Sequence, residues 1–281
     1  MHSALLPNGS IVTAISYSED LHGVIIKCMD KNCAAPVFHV PGTPAMAAHF
    51  KTSGKGASIH HEDCGFARRL SFQETVSKVS EYQTSFQGHG IREFVVRLNM
   101  NKIDPDYEAR EIVRNPKDKD DSEAKELDSD ALKEERETPQ SIGSLKSVKK
   151  LFLTVEPDLL ASIIIAVNGK RIPISELIRH YDDAHTALWE DLTLAVPYFI
   201  HGRIEKVFRR EKVWYINFTP TNNGFFSLIV FDRHFKYFTF KDHELIGKEV
   251  LAFGTLKKNT FQKDKKSTEM IIKSNQYLEF L

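Results

Sequence analysis

All three cysteines of this chain, Cys28, Cys33 and Cys64, fall between positions 28 and 64, together with four of its 12 histidines: His39, His49, His60 and His61. Three thiols cannot make the paired framework of a small secreted domain, and a chain of 281 residues needs no such staple. Set among imidazoles, they match the donor set of a closed tetrahedral zinc site: three thiolates and one imidazole, with no position left for a catalytic water. Cys28 and Cys33 follow the apolar run Val24-Ile25-Ile26, as a metal knuckle follows a strand. A second ligand pair would come from the His/Cys cluster about 30 residues on. The candidate structural zinc set is Cys28, Cys33, His49 and Cys64, with His61 as the alternative to His49 and with His60 and His39 behind them; the spacing is not that of a common finger. The competing reading, three buried apolar thiols, leaves their confinement to one histidine-rich stretch unexplained.

Basic and acidic side chains both number 38, so the formal charge is zero. That excludes a uniformly basic coat for nucleic acid and a uniformly acidic protein alike. The balance does not hold segment by segment. Residues 115–140 carry 10 acidic and 5 basic side chains and no aromatic one, whereas residues 197–281 carry 15 basic against 9 acidic. The acidic run cannot bury enough apolar surface to offset the entropy of ordering, so it reads as a solvated linker, with a capping residue and helix formers at DSDALKEERE. The expected organisation is a zinc-knuckle module with a packed helix over 1–114 and an acidic flexible linker over 115–140. A helix-hairpin-helix connecting region follows over 141–195, then a barrel over 196–281. No basic leader with a long apolar run opens the sequence, and the most apolar stretch, 159–167, is far short of the ~20 residues of a membrane span. The expectation is a soluble, cytoplasmic protein without a membrane partner.

After Cys64, apolar residues at Phe66, Leu70, Phe72, Val76, Val79 and Tyr82 have helical spacing, as do Ile142, Leu145, Val148, Leu151 and Phe152. Residues 162–167 and 171–174 flank Asn168-Gly169 and read as a hairpin, and 175–189 reads as a helix. Beyond Val196 strands take over, at 198–207, 212–219, 225–231 (entered by the turn Asn222-Asn223-Gly224), 247–255 and 270–280. Five strands in a short space suit a small OB-type barrel, which makes the chain an α+β protein: a small zinc-binding α/β module, the acidic linker, a helical segment and the five-stranded barrel. Arg209, Arg210 and Lys212 fall in the turn between the first two strands. Lys257, Lys258, Lys263, Lys265 and Lys266 fall between the last two. These loops flank the oligonucleotide groove of an OB barrel, and such cations suit a phosphate backbone. Alternation along 213–218 sends Trp214, Ile216 and Phe218 to one face and Tyr215 and Asn217 to the other, which leaves Tyr215 to stack a base, with Phe208 nearby.

Two resemblances extend this reading. Cys28…Cys33, Ala48-His49-Phe50, then His60/His61 and Cys64 resemble the zinc-ribbon-like module of competence protein CoiA-like proteins, over about residues 5–66, though with four residues rather than two between the first cysteines. Gly202-Arg203-Ile204, Trp214 to Phe218, the Leu245 to Val250 stretch, Gly254 and the Ile271…Gln276 strand resemble bacterial OB-fold nucleic-acid-binding domains. Together they imply a non-catalytic nucleic-acid-binding protein, with single-stranded DNA as partner, in bacterial DNA uptake, transfer or defence. A nuclease with an unseen active site and a protein-binding adaptor are the alternatives. For the first of these, His180, His185 and Asp182-Asp183 are the best hidden group, and no catalytic constellation is visible.

Overall fold

A computed structural model of the chain describes residues 1–108, 141–220, 224–261 and 265–281. The expected linker at 115–140, the Asn222-Asn223 turn and Lys263 lie outside the described residues. The chain opens with β1 (Ser3–Leu5), β2 (Ile11–Thr13), the one-turn α1 (Glu19–His22), β3 (Ile26–Cys28), β4 (Pro36–Val40) and β5 (His49–Lys51). These strands form an antiparallel sheet in the order β2-β1-β3-β4-β5. The expected α/β module is therefore mostly sheet.

Helix α2 (Phe72–Phe86) begins only at Phe72, later than the apolar spacing from Phe66 suggests, because Ser71 caps it. The Ser71 hydroxyl accepts the Glu74 N–H, and the Glu74 carboxylate accepts the Ser71 N–H at 2.8 Å. This reciprocal pairing satisfies two backbone donors that a bare helix start leaves unbonded. Strand β6 (Phe94–Leu98) follows, then β7 (Ser141–Ile142), α3 (Leu145–Thr154), α4 (Pro157–Ala161), β8 (Ile163–Val167) and β9 (Lys170–Pro173). The β8–β9 hairpin turns at Asn168 and Gly169, both with positive φ (49° and 74°), as a tight two-residue hairpin requires. β6 runs parallel to both β7 and β8, giving a sheet of order β7-β6-β8-β9. One sheet thus takes strands from both sides of the acidic run. Packing divides the chain elsewhere: the N-terminal sheet has a small core of its own around Ala4, Val12, Ile26 and Phe50, while α2 and β6 belong to the main core.

The expected helix over 175–189 is broken. Helix α5 (Ile174–Leu177) gives way to β10 (Ile178–His180) before α6 (Tyr181–Trp189). β10 pairs in parallel with β11 (Tyr198–Arg209), so a tertiary partner overrides a spacing that suits a helix. The rest is β12 (Val213–Phe218), β13 (Phe225–Phe231), α7 (Asp242–Leu245), β14 (Glu249–Gly254), β15 (Leu256–Asn259), β16 (Ser267–Ile271) and β17 (Leu278–Phe280). The single last strand expected at 270–280 is in fact two, β16 and β17. The ladders run β15-β16-β13-β12-β11-β14-β17, with β13 and β16 parallel. β14 and β15 are separated only by Thr255, and they pair respectively with β11 and β16. The chain itself therefore joins the two sides of the sheet.

One face of this sheet is core: Ile200, Ile216, Leu228, Val230 and Met270 are buried and continue into Val148, Leu151 and Phe152 of α3 and Leu160 of α4. Gly202 on β11 lets the Tyr181 ring lie against the strand, where it stacks on Phe218 with centroids 4.9 Å apart. A side chain at 202 would occupy the space of that ring.

His201 is buried on β11, edge-on to Phe72 of α2 and to His180 of β10. Burial, then repulsion from His180, lowers its imidazole from 6.5 to about 4. Between those values the unfolded chain holds a proton that the folded chain does not, so stability falls as the pH falls through the window. We expect the urea midpoint to drop between pH 7 and pH 5, with His201 accounting for about 2 kcal/mol of the loss. His201→Gln should flatten that slope; a slope equal to the wild type's would show that the fold does not hold the His201 imidazole below its unfolded value.

Candidate functional site

Two places gather chemistry-bearing side chains. The first is the end of the N-terminal sheet. Cys28 closes β3, and the next turn is shaped by Asp30, whose carboxylate accepts the Asn32 N–H at 3.1 Å while its carbonyl accepts the Cys33 N–H at 3.0 Å. The second Asp30 oxygen accepts from Gly65 N–H (3.1 Å), Lys78 Nζ (2.9 Å) and Tyr82 Oη (2.7 Å). One fully buried carboxylate thus ties the Cys28–Cys33 turn to the Cys64–Gly65 turn and both to α2. Burial alone would raise Asp30, but these hydrogen bonds outweigh it and hold the carboxyl below its ordinary range. Gly65 has to be small, since a Cβ there would stand 2.5 Å from Tyr82 Oη.

Cys28, Cys33, His60 and Cys64 converge, each offering one ligand atom within 4.8 Å of the others, and could hold a metal ion. Cys28 Sγ lies 3.7 Å from Cys64 Sγ, and His60 Nδ1 lies 3.4 Å from Cys33 Sγ and 3.5 Å from Cys64 Sγ. In a tetrahedron with metal–sulfur bonds of about 2.3 Å and metal–nitrogen bonds of about 2.0 Å, the corresponding edges are ~3.8 and ~3.5 Å. The residues fit the ion. A hydrogen bond from the Cys28 thiol to Cys64, reinforced by burial, holds the Cys28 thiol far above its usual range. Accepting that bond brings Cys64 down to about 7, and burial lowers the His60 imidazole, which favours its neutral, ligating form.

The imidazole is not the one expected. His49 sits on β5 beside Phe50, and since Phe50 fills the core, alternation points His49 away, where its Nδ1 meets the Ala47 carbonyl at 3.1 Å. His61 is exposed near Asp63, and only its backbone N–H reaches Cys33 Sγ, at 3.4 Å. His39 bonds the Ala14 carbonyl.

The second place is a cleft of about 440 Å³ on the outer face of the large sheet. Its floor comes from outward-facing residues of β12 (Tyr215, Asn217), β13 (Ser227), β15 (Asn259) and β16 (Ser267, Glu269). Phe208 and Arg210 stand at one end, beside the β11–β12 turn; Phe225, Phe261 and Lys265 stand at the other. Phe208, Phe225 and Phe261 are 50%, 42% and 91% exposed, an expense in apolar surface that the fold itself does not require. Arg210 lies over the Tyr215 ring at 5.9 Å, and Lys265 over Phe225 at 5.8 Å.

Of the cations picked out in the two loops, the cleft therefore takes Arg210 and Lys265, together with Tyr215. Arg209 turns to the other side of the strand, pairing with Asp242 at 2.7 Å and stacking on Trp214. Lys258 pairs with Asp191 at 2.6 Å, and both Lys258 and Lys266 lie over Trp189 of α6. Lys212 and Lys257 are exposed but do not line the cleft. The polar floor was missed, although alternation already puts Asn217 on the face of Tyr215. Of the histidine–aspartate group at α6, His185 is buried, with Nδ1 2.8 Å from Thr268 Oγ1, and the His180 ring lies against that of Tyr181.

No family model matches the chain, and no curated protein does. Among solved structures, it is similar to the S. pombe Stn1-ten1 complex at 18% identity and a TM-score of 0.22, over 30% of this chain and 57% of that one. It is also similar to Entamoeba histolytica asparaginyl-tRNA synthetase in complex with asparaginyl-adenylate, at 11% identity and a TM-score of 0.22, over 38% of this chain and 24% of that one. The chain spans less than two thirds of either structure. At this level of likeness, function has to be argued from the residues themselves.

Proposed function

We propose that this chain is a single-stranded nucleic-acid-binding protein. In this reading the large sheet is an OB-type barrel, the strand lies across the cleft, and Cys28, Cys33, His60 and Cys64 hold a structural zinc. The observation that carries it is the cleft: exposed rings of Phe208, Phe225 and Phe261 beside Tyr215, over a polar floor, between Arg210 and Lys265. Rings of that kind stack on any base, and flanking cations track the phosphates. A duplex keeps its bases stacked on each other, so the rings would find no free faces in it. Support for the barrel comes from the ladder order and from the cleft's ends, which are Phe208 and Arg210 beside the β11–β12 turn and Phe261 and Lys265 between β15 and β16, the counterparts of the loops that flank the groove of that fold. The zinc reading is supported by the closed three-sulfur, one-nitrogen donor set.

The test is a salt titration of the full chain against a labelled single strand of about 12 nucleotides, as DNA and as RNA, and against the matching duplex. We expect single strands to bind and duplex to bind far less. Two phosphate contacts predict that log K falls with log salt at a slope of about −1.4. Duplex bound as tightly as single strand would refute the reading, and binding of no oligonucleotide would hand the cleft to a protein partner.

A further inference from the structure

Glu269 is the one feature of the cleft that a mere backbone track would not contain. It lies on the floor between the aromatic ends, and a carboxylate there repels phosphate. Among the described residues no ion pair involves it. It is instead held in place: Asn259 Nδ2 donates to Glu269 Oε1 at 2.5 Å, while Asn259 Oδ1 accepts the Phe261 N–H at 2.9 Å. The same amide thus positions the carboxylate and the base of the exposed Phe261. Beside it, Ser227 Oγ donates to Asn217 Oδ1 at 2.9 Å, so the neighbouring polar groups are also ordered.

Glu269 stands opposite Lys257 in the β15–β16 ladder, and its carboxylate oxygens are open to a neutral ligand that brings donors; a base stacked on these rings turns its edge to the floor. Of the common bases, guanine alone presents two adjacent donors on its Watson–Crick edge, N1–H and the N2 amine. A carboxylate, which only accepts, can take both. Cytosine and adenine offer one donor beside an acceptor, and thymine or uracil would set carbonyl oxygens against the carboxylate. We propose that the cleft reads one guanine of a single strand through the Glu269 carboxylate, an inference that rests on the single-strand reading above.

The test measures the full chain against oligothymidine strands that carry one central base, so that guanine-rich folded forms cannot arise: dG, inosine, dA, dC or dT. We expect the dG strand to bind about tenfold tighter than the dT strand, toward the low end of what a bidentate base contact discriminates. Inosine, which keeps N1–H and lacks the N2 amine, should lose most of that gain without any change to the protein. Glu269→Gln, which puts a donor where one acceptor was, should bring the dG and dT strands to within about twofold of each other. If all five strands bind wild type equally, the base reading fails and the single-strand reading stands. A dG preference that survives inosine or Glu269→Gln also overturns it, and if no strand binds, both readings fall.

Discussion

Replacing Cys64 with serine should cost the chain one bound metal ion and unfold its N-terminal sheet while the rest stays folded. The sheet cannot hold itself. β1, β2, β3 and β5 are three residues long, and the core beneath them is small: Met1, Leu6, Tyr17, Ile26, Val37 and Phe50 with a few alanines, Val12 and the cysteines. Two of its fully buried positions are Cys28 and Cys64 themselves. A structural zinc is worth about 10–16 kcal/mol in small metal-folded peptides, against about 5–15 kcal/mol for the whole stability of a typical domain. Losing one thiolate also leaves three ligands around an ion that needs four. The main core does not depend on the site: α2 packs against α3 and α4 through Phe72, Val79 and Phe152. Elemental analysis should find one zinc per wild-type chain and none in Cys64→Ser. Hydrogen exchange should show protection lost over residues 1–66 and retained from Phe72 onward. A Cys64→Ser protein with the wild-type metal content, or with full protection of β1 to β5, would remove the metal from the account.

The cysteines were legible because chain position alone confined them; the histidine was not. His60 and His61 are adjacent, and nothing local says which of two neighbouring rings turns inward. The decision comes from elsewhere, from Phe50 filling the core and so expelling His49, and from the Asp30 bonds that fold residues 30–33 and 64–65 together. The same limit applies to the lysines. Lys257 and Lys258 look alike in sequence, yet Leu256 points into the core, so alternation along β15 carries Lys258 to the side of Trp189 and Asp191. Periodicity worked where one face is uniformly apolar, as on β12, where it sends Tyr215 to the outer face that the cleft occupies. It failed at Ile178-Arg179-His180, where Leu177, Ile178 and Tyr181 fit a helix until β11 supplies a strand partner. Local pattern specifies faces; it does not specify which neighbour a face will meet.

Removing the cleft's rings and removing its cations should weaken binding in two distinguishable ways. Tyr215→Ala with Phe261→Ala takes away two stacking surfaces and no charge. At about 1–3 kcal/mol per stacked base, the pair should cost between about thirtyfold and about twenty-thousandfold in affinity, with the salt slope nearly unchanged. Phe261 is the cleaner member, because a ring 91% exposed contributes almost nothing to the fold. Arg210→Ala with Lys265→Ala should cost less at high salt than at low, and should bring the slope from about −1.4 toward zero. Lys258→Ala with Lys266→Ala removes the same formal charge, from the stretch between β15 and β16 that also carries Lys265. Those side chains are engaged with Asp191 and Trp189, on the far side of β15 from the cleft, so the slope should stay close to the wild type's. Charge count alone would make the two double variants equivalent; the geometry says that they differ. Equal slopes for both would mean that the strand responds to the net charge of the region, and the cleft would lose its claim to the phosphates. A slope lost only with Arg210 and Lys265, and an affinity lost only with the rings, would place the backbone and the bases of one strand in that cleft.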